Sequence, residues 1–306
     1  MLQLCRYYSP VAGVRLGAIR DGHVHDLTAS NEPSFISFRA WIELASQVGV
    51  PAAIDQTARI VAEGPSEYTW SELQCSPDPV RPHLLAPLDE QEVWACGVTY
   101  VRSRDAREEE SKQIGIYEKV YEADRPEIFF KATPHRVVGD GDAIAVRSDA
   151  GWSVPEPELT VVLTPTLDVV GYTAGNDVSS RDIEGENPLY LPQAKIYVRS
   201  CSIGPAITLA PYFESEAVAV IEMTIRREEQ VVFHGATDTL RMKRSVTELI
   251  EYLGRDNTFP RGVFLMTGTG IVPPDDFNLQ NGDLVQIDID RIGRLTNLVG
   301  VASLPR

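Results

Sequence analysis

The sequence predicts a β-rich α+β fold with a small domain over residues 1–85 and a larger one over 86–306. Three observations predict it. Short segments of strand character follow one another through the second half of the chain, whereas helical periodicity is confined to 34–48, 103–123 and 245–253. The stretch 64–88 carries Pro65, Pro77, Pro79, Pro82 and Pro87, which resist both helix and central strand, so the boundary is placed near residue 85. The chain has 306 residues, a length that suits one large domain or two smaller ones.

Taken in order, residues 1–30 read as short strands. Segments 14–19 and 24–27 flank an Asp21-Gly22 turn and form a hairpin. Phe35, Phe38, Ile42 and Ala45 recur at helical spacing over 34–48. An apolar strand runs over 92–98. The helix expected at 103–123 has an almost wholly charged start, and only Ile114, Tyr117, Val120 and Tyr121 give it a packing face, which predicts a mobile lid at about 99–118. Strands are then expected at 128–132, 143–148, 158–164, 169–174, 206–210, 217–226, 230–235 and 284–290. Ser245 and Glu248 form an S-x-x-E signature ahead of Leu249, Ile250 and Leu253, which sets a helix at 245–253.

Composition narrows the function. Hydrophobic residues are 43% and charged residues 24%, so the chain can bury a core and is not disordered as a whole. With 28 Lys and Arg against 44 Asp and Glu, the formal charge is −16, which opposes nucleic-acid and anionic-lipid binding. A local cluster of cations inside a cleft still permits a small anionic substrate. Cys5, Cys75, Cys96 and Cys201 form no CxxC pair, and no apolar run approaches 18 residues. The N-terminus lacks a signal-peptide pattern, so the expected location is cytoplasmic, with reduced thiols. Cys96 and Cys201 lie in apolar strand contexts and read as core. His23 and His25 share a strand face with no carboxylate pattern beside them, and His83, His135 and His234 are isolated.

The chemistry concentrates in two segments. In Val154-Pro155-Glu156-Pro157-Glu158-Leu159, strand alternation turns Glu156 and Glu158 to one side, and the two prolines place the strand start at an edge or opening. Paired carboxylates call for a proton or a cation between them, and hard oxygen ligands suit Mg²⁺, Mn²⁺ or Ca²⁺. The next segment ends a strand at Asn176-Asp177, where a third carboxylate reaches the same place. Arg181-Asp182 reads as a structural ion pair. Lys195 returns toward the site after the Pro-rich loop 189–195.

The pattern Glu156-x-Glu158, Gly171-Tyr172, Asn176-Asp177-x-x-x-Arg181-Asp182 and Lys195 resembles the fumarylacetoacetate hydrolase superfamily. Pro126-Glu127-Ile128-Phe129-Phe130-Lys131, Thr267-Gly268-Thr269-Gly270, Asn281-Gly282-Asp283 and Gly293-Arg294-Leu295-Thr296-Asn297 resemble further motifs of that superfamily in order, so the likeness spans about 92–300. It implies a mixed β-sandwich roll that holds Mg²⁺ through Glu156, Glu158 and Asp177, with Lys131, Lys195 and groups around Thr267 to Thr269 completing an anion site for a 2-oxo acid. It also implies a homo-oligomer, dimer or tetramer. A divalent ion polarises the carbonyl and stabilises an enolate.

Two departures direct the reading of the reaction. Hydrolases of the superfamily carry N-Y-x-x-H-x-x-E on a lid, whereas this chain reads Thr99-Tyr100-Val101-Arg102-Ser103-Arg104-Asp105-Ala106, so Ser103 and Ala106 replace the water-activating pair. Where many relatives read R-D-x-Q, this chain has Glu184. Both changes resemble the branch that dehydrates 2-keto-3-deoxy sugar acids, which implies conversion of a 2-keto-3-deoxy-pentonate to 2-oxoglutarate semialdehyde. Every step of that conversion moves a proton and none needs an attacking water. Glu184 is the first candidate for the proton shuttle, and a lid carboxylate such as Glu109 is the second. Lys195 acts as base or holds the substrate carboxylate, the latter being preferred. Tyr100, Arg102, Arg104 and Gln193 are further expected substrate contacts. The rivals are C–C hydrolysis of a 2,4-diketo acid, decarboxylation or tautomerisation of oxaloacetate, and a non-catalytic 2-oxo-acid binding protein.

Overall fold

A computed structural model describes residues 1–103, 116–213 and 218–302. The strand Pro157–Leu163 is buried along its whole length, and its neighbours explain why. Leu159, Val161 and Leu163 point into one apolar cluster and Val162 into another, so both faces of the strand are covered. It pairs antiparallel with Val169–Asp177 on one side and with Val263–Met266 on the other.

These strands lie in the middle of a large mixed sheet. From one end the order is Tyr68–Thr69, His23–Asp26, Gly13–Arg20, Leu2–Ser9, Cys201–Leu209, Val169–Asp177, Pro157–Leu163, Val263–Met266, Glu92–Gly97 and Glu127–Ala132. A second sheet runs Gln230–Asp238, Val220–Arg227, Leu284–Ile289, Gly293–Val301 and Ala143–Val146. Ile221, Ile287, Leu295 and Ile144 of this smaller sheet share a core with Val161 and Tyr172 of the larger one. The opposite face of the large sheet is covered by the helices Phe38–Val48 and Val50–Glu63, whose Phe38, Trp41, Ile42 and Ile54 join Val162, Ile207 and Phe264. The architecture is therefore the β-rich α+β, sandwich-like arrangement expected.

Local rules account for most elements. In the first hairpin Asp21 and Gly22 have φ of 52° and 77°, the paired left-handed turn that suits the strand twist. The helix expected at 34–48 begins at Phe38, because Ser37 caps it by accepting from the Ala40 amide. Ser245 likewise caps Val246–Leu253 by accepting from the Glu248 amide, while the Glu248 carboxylate pairs with Arg244 at 2.7 Å. The N-terminal strands extend the large sheet: Gln3 and Leu4 of Leu2–Ser9 pair with Thr208 and Ile207. Cys5, Cys96 and Cys201 are buried, and burial raises each thiol's pKa, that of Cys201 to about 12. Of the helix expected at 103–123, only Ile116–Glu122 is a described helix, and most of the expected lid lies outside the described residues.

Candidate metal centre and active site

Glu158 is the second residue of its strand and sits opposite Gly175. Glu156 immediately precedes the strand, where its amide donates to the Asn176 side chain at 3.2 Å and its carbonyl accepts from the Asp177 amide at 3.0 Å. Asp177 closes the neighbouring strand. The strand start and the strand end thus bring the three carboxylates together: all are buried, and one oxygen of each lies within 4.8 Å of the others. Three like charges so close repel by about 3 kcal/mol or more per pair, even at an effective dielectric near 20. That sum rivals the net stability of a domain, so cations or a bound proton must offset it.

Among the described residues, three buried side-chain cations meet the cluster. Arg181 Nη2 is 2.9 Å from Glu156 Oε1. Lys195 Nζ donates to Glu156 Oε2 at 2.7 Å, Asp177 Oδ2 at 3.1 Å and Ser179 Oγ at 2.6 Å. Lys131 Nζ is 2.5 Å from Asp177 Oδ1 and donates to the carbonyls of Val178 at 3.3 Å and Lys195 at 2.5 Å. Glu158 is treated differently. Its Oε2 accepts from the Gly268 amide at 2.6 Å, and no side-chain cation lies within 4.0 Å of it among the described residues. Burial, then the charges of Asp177 and Glu156, hold its pKa well above the usual carboxylate range, although Lys195 and the Gly268 amide oppose this. A hard, all-oxygen donor set whose third member lacks a counter-ion fits a divalent cation.

The loop after Val263–Met266 braces the cluster. Gly268 has φ 93°, and a Cβ there would meet Thr99 Oγ1 at 2.0 Å. Glycine is therefore required for its amide to reach Glu158. Thr267 donates its hydroxyl to the Leu159 carbonyl at 2.9 Å, and its own carbonyl accepts from Thr99 Oγ1 at 2.8 Å. The Thr269 hydroxyl is 3.2 Å from both the amide and the carbonyl of Ile271.

The other expected site residues are spread around this centre. Glu184 is buried in the short helix Arg181–Glu186, one turn after Arg181 and hence on the same face. Tyr100 is buried and lines a cavity of about 660 Å³ with Arg102, Thr237, Arg241, Gly270 and Ile271. Among the described residues its hydroxyl has no hydrogen-bond partner, and burial and the Glu158 charge raise its pKa, which keeps it a donor. Arg102 is exposed at that cavity. Gln193 is exposed on Leu191–Lys195, with its carbonyl accepting from Arg147 at 3.0 Å. Arg104 and Glu109 lie outside the described residues.

One expectation is corrected. Arg181 does not pair with Asp182. Asp182 accepts from the Gly151 amide at 2.6 Å, and Arg181 turns inward to Glu156. Ser179 escaped the sequence reading, though its place two residues beyond Asp177 is a detectable signal of a shared face, and the Gly268 amide, expected among the groups around Thr267 to Thr269 that complete an anion site, instead donates to Glu158.

Comparison with known proteins agrees with this geometry. The family described as fumarylacetoacetate (FAA) hydrolase C-terminal matches residues 92–300. A probable 2-keto-3-deoxyxylonate dehydratase of Haloferax volcanii is 46% identical over 286 residues, covering 93% of this chain and 95% of that protein. A 2-dehydro-3-deoxy-D-arabinonate dehydratase of Saccharolobus solfataricus is 51% identical over 216 residues, 69% of this chain and 72% of that protein. The solved structure of a 2-keto-3-deoxy-D-arabinonate dehydratase complexed with magnesium and 2,5-dioxopentanoate superposes with a TM-score of 0.81 at 38% identity, covering 99% of this chain and 100% of that one.

Proposed function

The chain belongs to the fumarylacetoacetate hydrolase family, and from that premise we propose the reaction it performs: dehydration of a 2-keto-3-deoxy-pentonate to 2-oxoglutarate semialdehyde. The observation that carries the reading is the buried cluster of Glu156, Glu158 and Asp177, with its cation-poor third carboxylate, in a chain this similar to sugar-acid dehydratases. Mg²⁺ is the cofactor, and these three carboxylates are its ligands in our reading. When bound, the ion supplies Lewis-acid polarisation of the 2-oxo group, which acidifies the C3 protons.

The remaining work falls to this chain's own groups. Lys195 keeps its charge and holds the substrate carboxylate, aided by main-chain groups at Thr267 to Thr269. Glu184 takes the C3 proton, then supplies a proton to the C4 hydroxyl as it departs as water, and the resulting enone rearranges to the semialdehyde by a proton shift from C5. The position of Glu184, buried one turn after the Arg181 that meets Glu156, supports this role. Tyr100 supplies a free donor beside the centre, and Arg102, Arg104 and Gln193 contact the substrate from its outer side, with Glu109 the alternative shuttle. We place the catalytic portion at 86–306 and the N-terminal portion at 1–85, in a cytoplasmic homo-oligomer; among the described residues no helix is long and apolar enough to cross a membrane.

Incubation with 2-keto-3-deoxy-D-pentonate and Mg²⁺, coupled to a semialdehyde dehydrogenase, tests the reading. Nucleotide reduction that vanishes with chelator is expected. Faster cleavage of a 2,4-diketo acid into two acids overturns the dehydratase assignment.

A further inference from the structure

The two buried lysines at the carboxylate cluster differ in what surrounds them. Lys131 is fully buried on Glu127–Ala132, and its ammonium is enclosed by three oxygens: one carboxylate oxygen of Asp177 and the main-chain carbonyls of Val178 and Lys195. An ammonium has three N–H donors. Two of them go to carbonyls, which remain whatever cation joins the cluster. Lys195 is also enclosed by three oxygens, but two of these belong to Glu156 and Asp177. A divalent ion taken up by those carboxylates competes for the same oxygens and frees Lys195 donors for an incoming anion, while Lys131 stays engaged.

We infer that Lys131 is a positioning residue that never touches substrate. It fixes the Asp177 carboxylate, and through the Lys195 carbonyl it fixes the backbone from which the second lysine reaches into the site. The Lys195 carbonyl also accepts from the Ser200 hydroxyl at 2.9 Å, so two donors hold it. Three distant parts of the chain meet on one nitrogen: the Glu127–Ala132 strand, the end of Val169–Asp177 and the end of Leu191–Lys195. The sequence placed Lys131 among the anion-binding groups. Two main-chain carbonyls and the facing Asp177 carboxylate turn its ammonium toward the protein rather than toward an incoming anion.

The inference rests on the carboxylates being the metal ligands, and its test separates the two ideas. Mg²⁺ affinity is measured by calorimetry for the wild type, Lys131→Met, Lys131→Gln and Lys195→Met, alongside kcat and KM. Groups that orient metal ligands typically change metal affinity by about 10–100-fold when removed. Lys131→Met is expected to weaken Mg²⁺ by that order and to lower kcat, with KM at saturating Mg²⁺ within about twofold of wild type. Lys131→Gln, which still donates to the carbonyls, recovers part of the loss. Lys195→Met raises KM instead. A raised KM with unchanged Mg²⁺ affinity in Lys131→Met makes Lys131 a substrate contact and overturns the inference, as do unchanged values of both. If the variants do not fold, ¹⁵N-lysine ammonium signals of the wild type decide: addition of pyruvate to the Mg²⁺ form shifts Lys195 and leaves Lys131 in place, and a Lys131 shift of equal size refutes the assignment. Mg²⁺ failing to bind the wild type at all refutes the metal reading itself.

Discussion

At position 184 a titratable carboxylate stands where a glutamine only donates and accepts hydrogen bonds, and general acid–base help is typically worth about 10²–10⁴ in rate. Glu184→Gln is therefore expected to lower kcat by about a hundredfold or more while Mg²⁺ affinity stays near that of the wild type, as calorimetry and steady-state rates read it. Normal turnover would return the shuttle to Lys195 or to Glu109. Glu158→Gln has the opposite signature. It removes an anionic oxygen and leaves the Gly268 amide an acceptor, so the fold is retained while Mg²⁺ affinity falls by at least about tenfold. Unchanged Mg²⁺ binding in that variant would remove Glu158 from the ligand set. The carboxylates themselves were legible in the sequence because strand alternation and a strand end are local rules. The partner of Arg181 was not, because its contact with Glu156 crosses from the helix start to a strand edge through space, and adjacency in sequence pointed to Asp182 instead.

Among the elements, the loop 267–270 couples the sheet to the site. Its glycine sits at positive φ against Thr99, so Gly268→Ala forces the loop away from Glu158 and strains its backbone. A loss of about 1–3 kcal/mol in denaturant unfolding is expected, with weakened Mg²⁺ binding alongside. Wild-type stability and affinity together would show that the amide contact is dispensable. Elements with their own apolar run or cap were readable in advance, including 158–164, 169–174 and the Ser245-capped helix. The helix Val50–Glu63 was not foreseen. Gly49 and Pro51 look like breakers, yet proline in the first helical turn gives up only an amide that has no partner there. Val263–Met266 escaped as well, since four apolar residues buried on both faces carry no alternation to detect.

Across the whole molecule, the turn between Val137–Val138 of the large sheet and Ala143–Val146 of the smaller one carries Asp140, which accepts from the Thr296 amide at 2.7 Å. Burial raises its pKa from 3.8 to about 6. The folded state then binds a proton that the unfolded chain has lost, so this group favours folding at low pH and its contribution disappears as pH rises through about 6. Between pH 4.5 and 7.5 the change is about 2 kcal/mol. Asp140→Asn keeps an oxygen for Thr296 and should flatten that part of the stability profile by a similar amount in urea titrations at the two pH values. An unchanged profile would place the titration elsewhere.

The pairing of Gln3 with Thr208 also sets a timetable. The first strand acquires Gly13–Arg20 on one side soon after it leaves the ribosome, and His83–Leu85 later covers Arg6 to Tyr8 on the other. The backbone of Gln3 and Leu4 has no sheet partner on that second side until residues 207 and 208 are made. At about 5–20 residues per second, that wait lasts roughly 10–40 s. Through it, Leu2 and Leu4 wait with Ile203, Ile207 and Leu209 of their final core still untranslated.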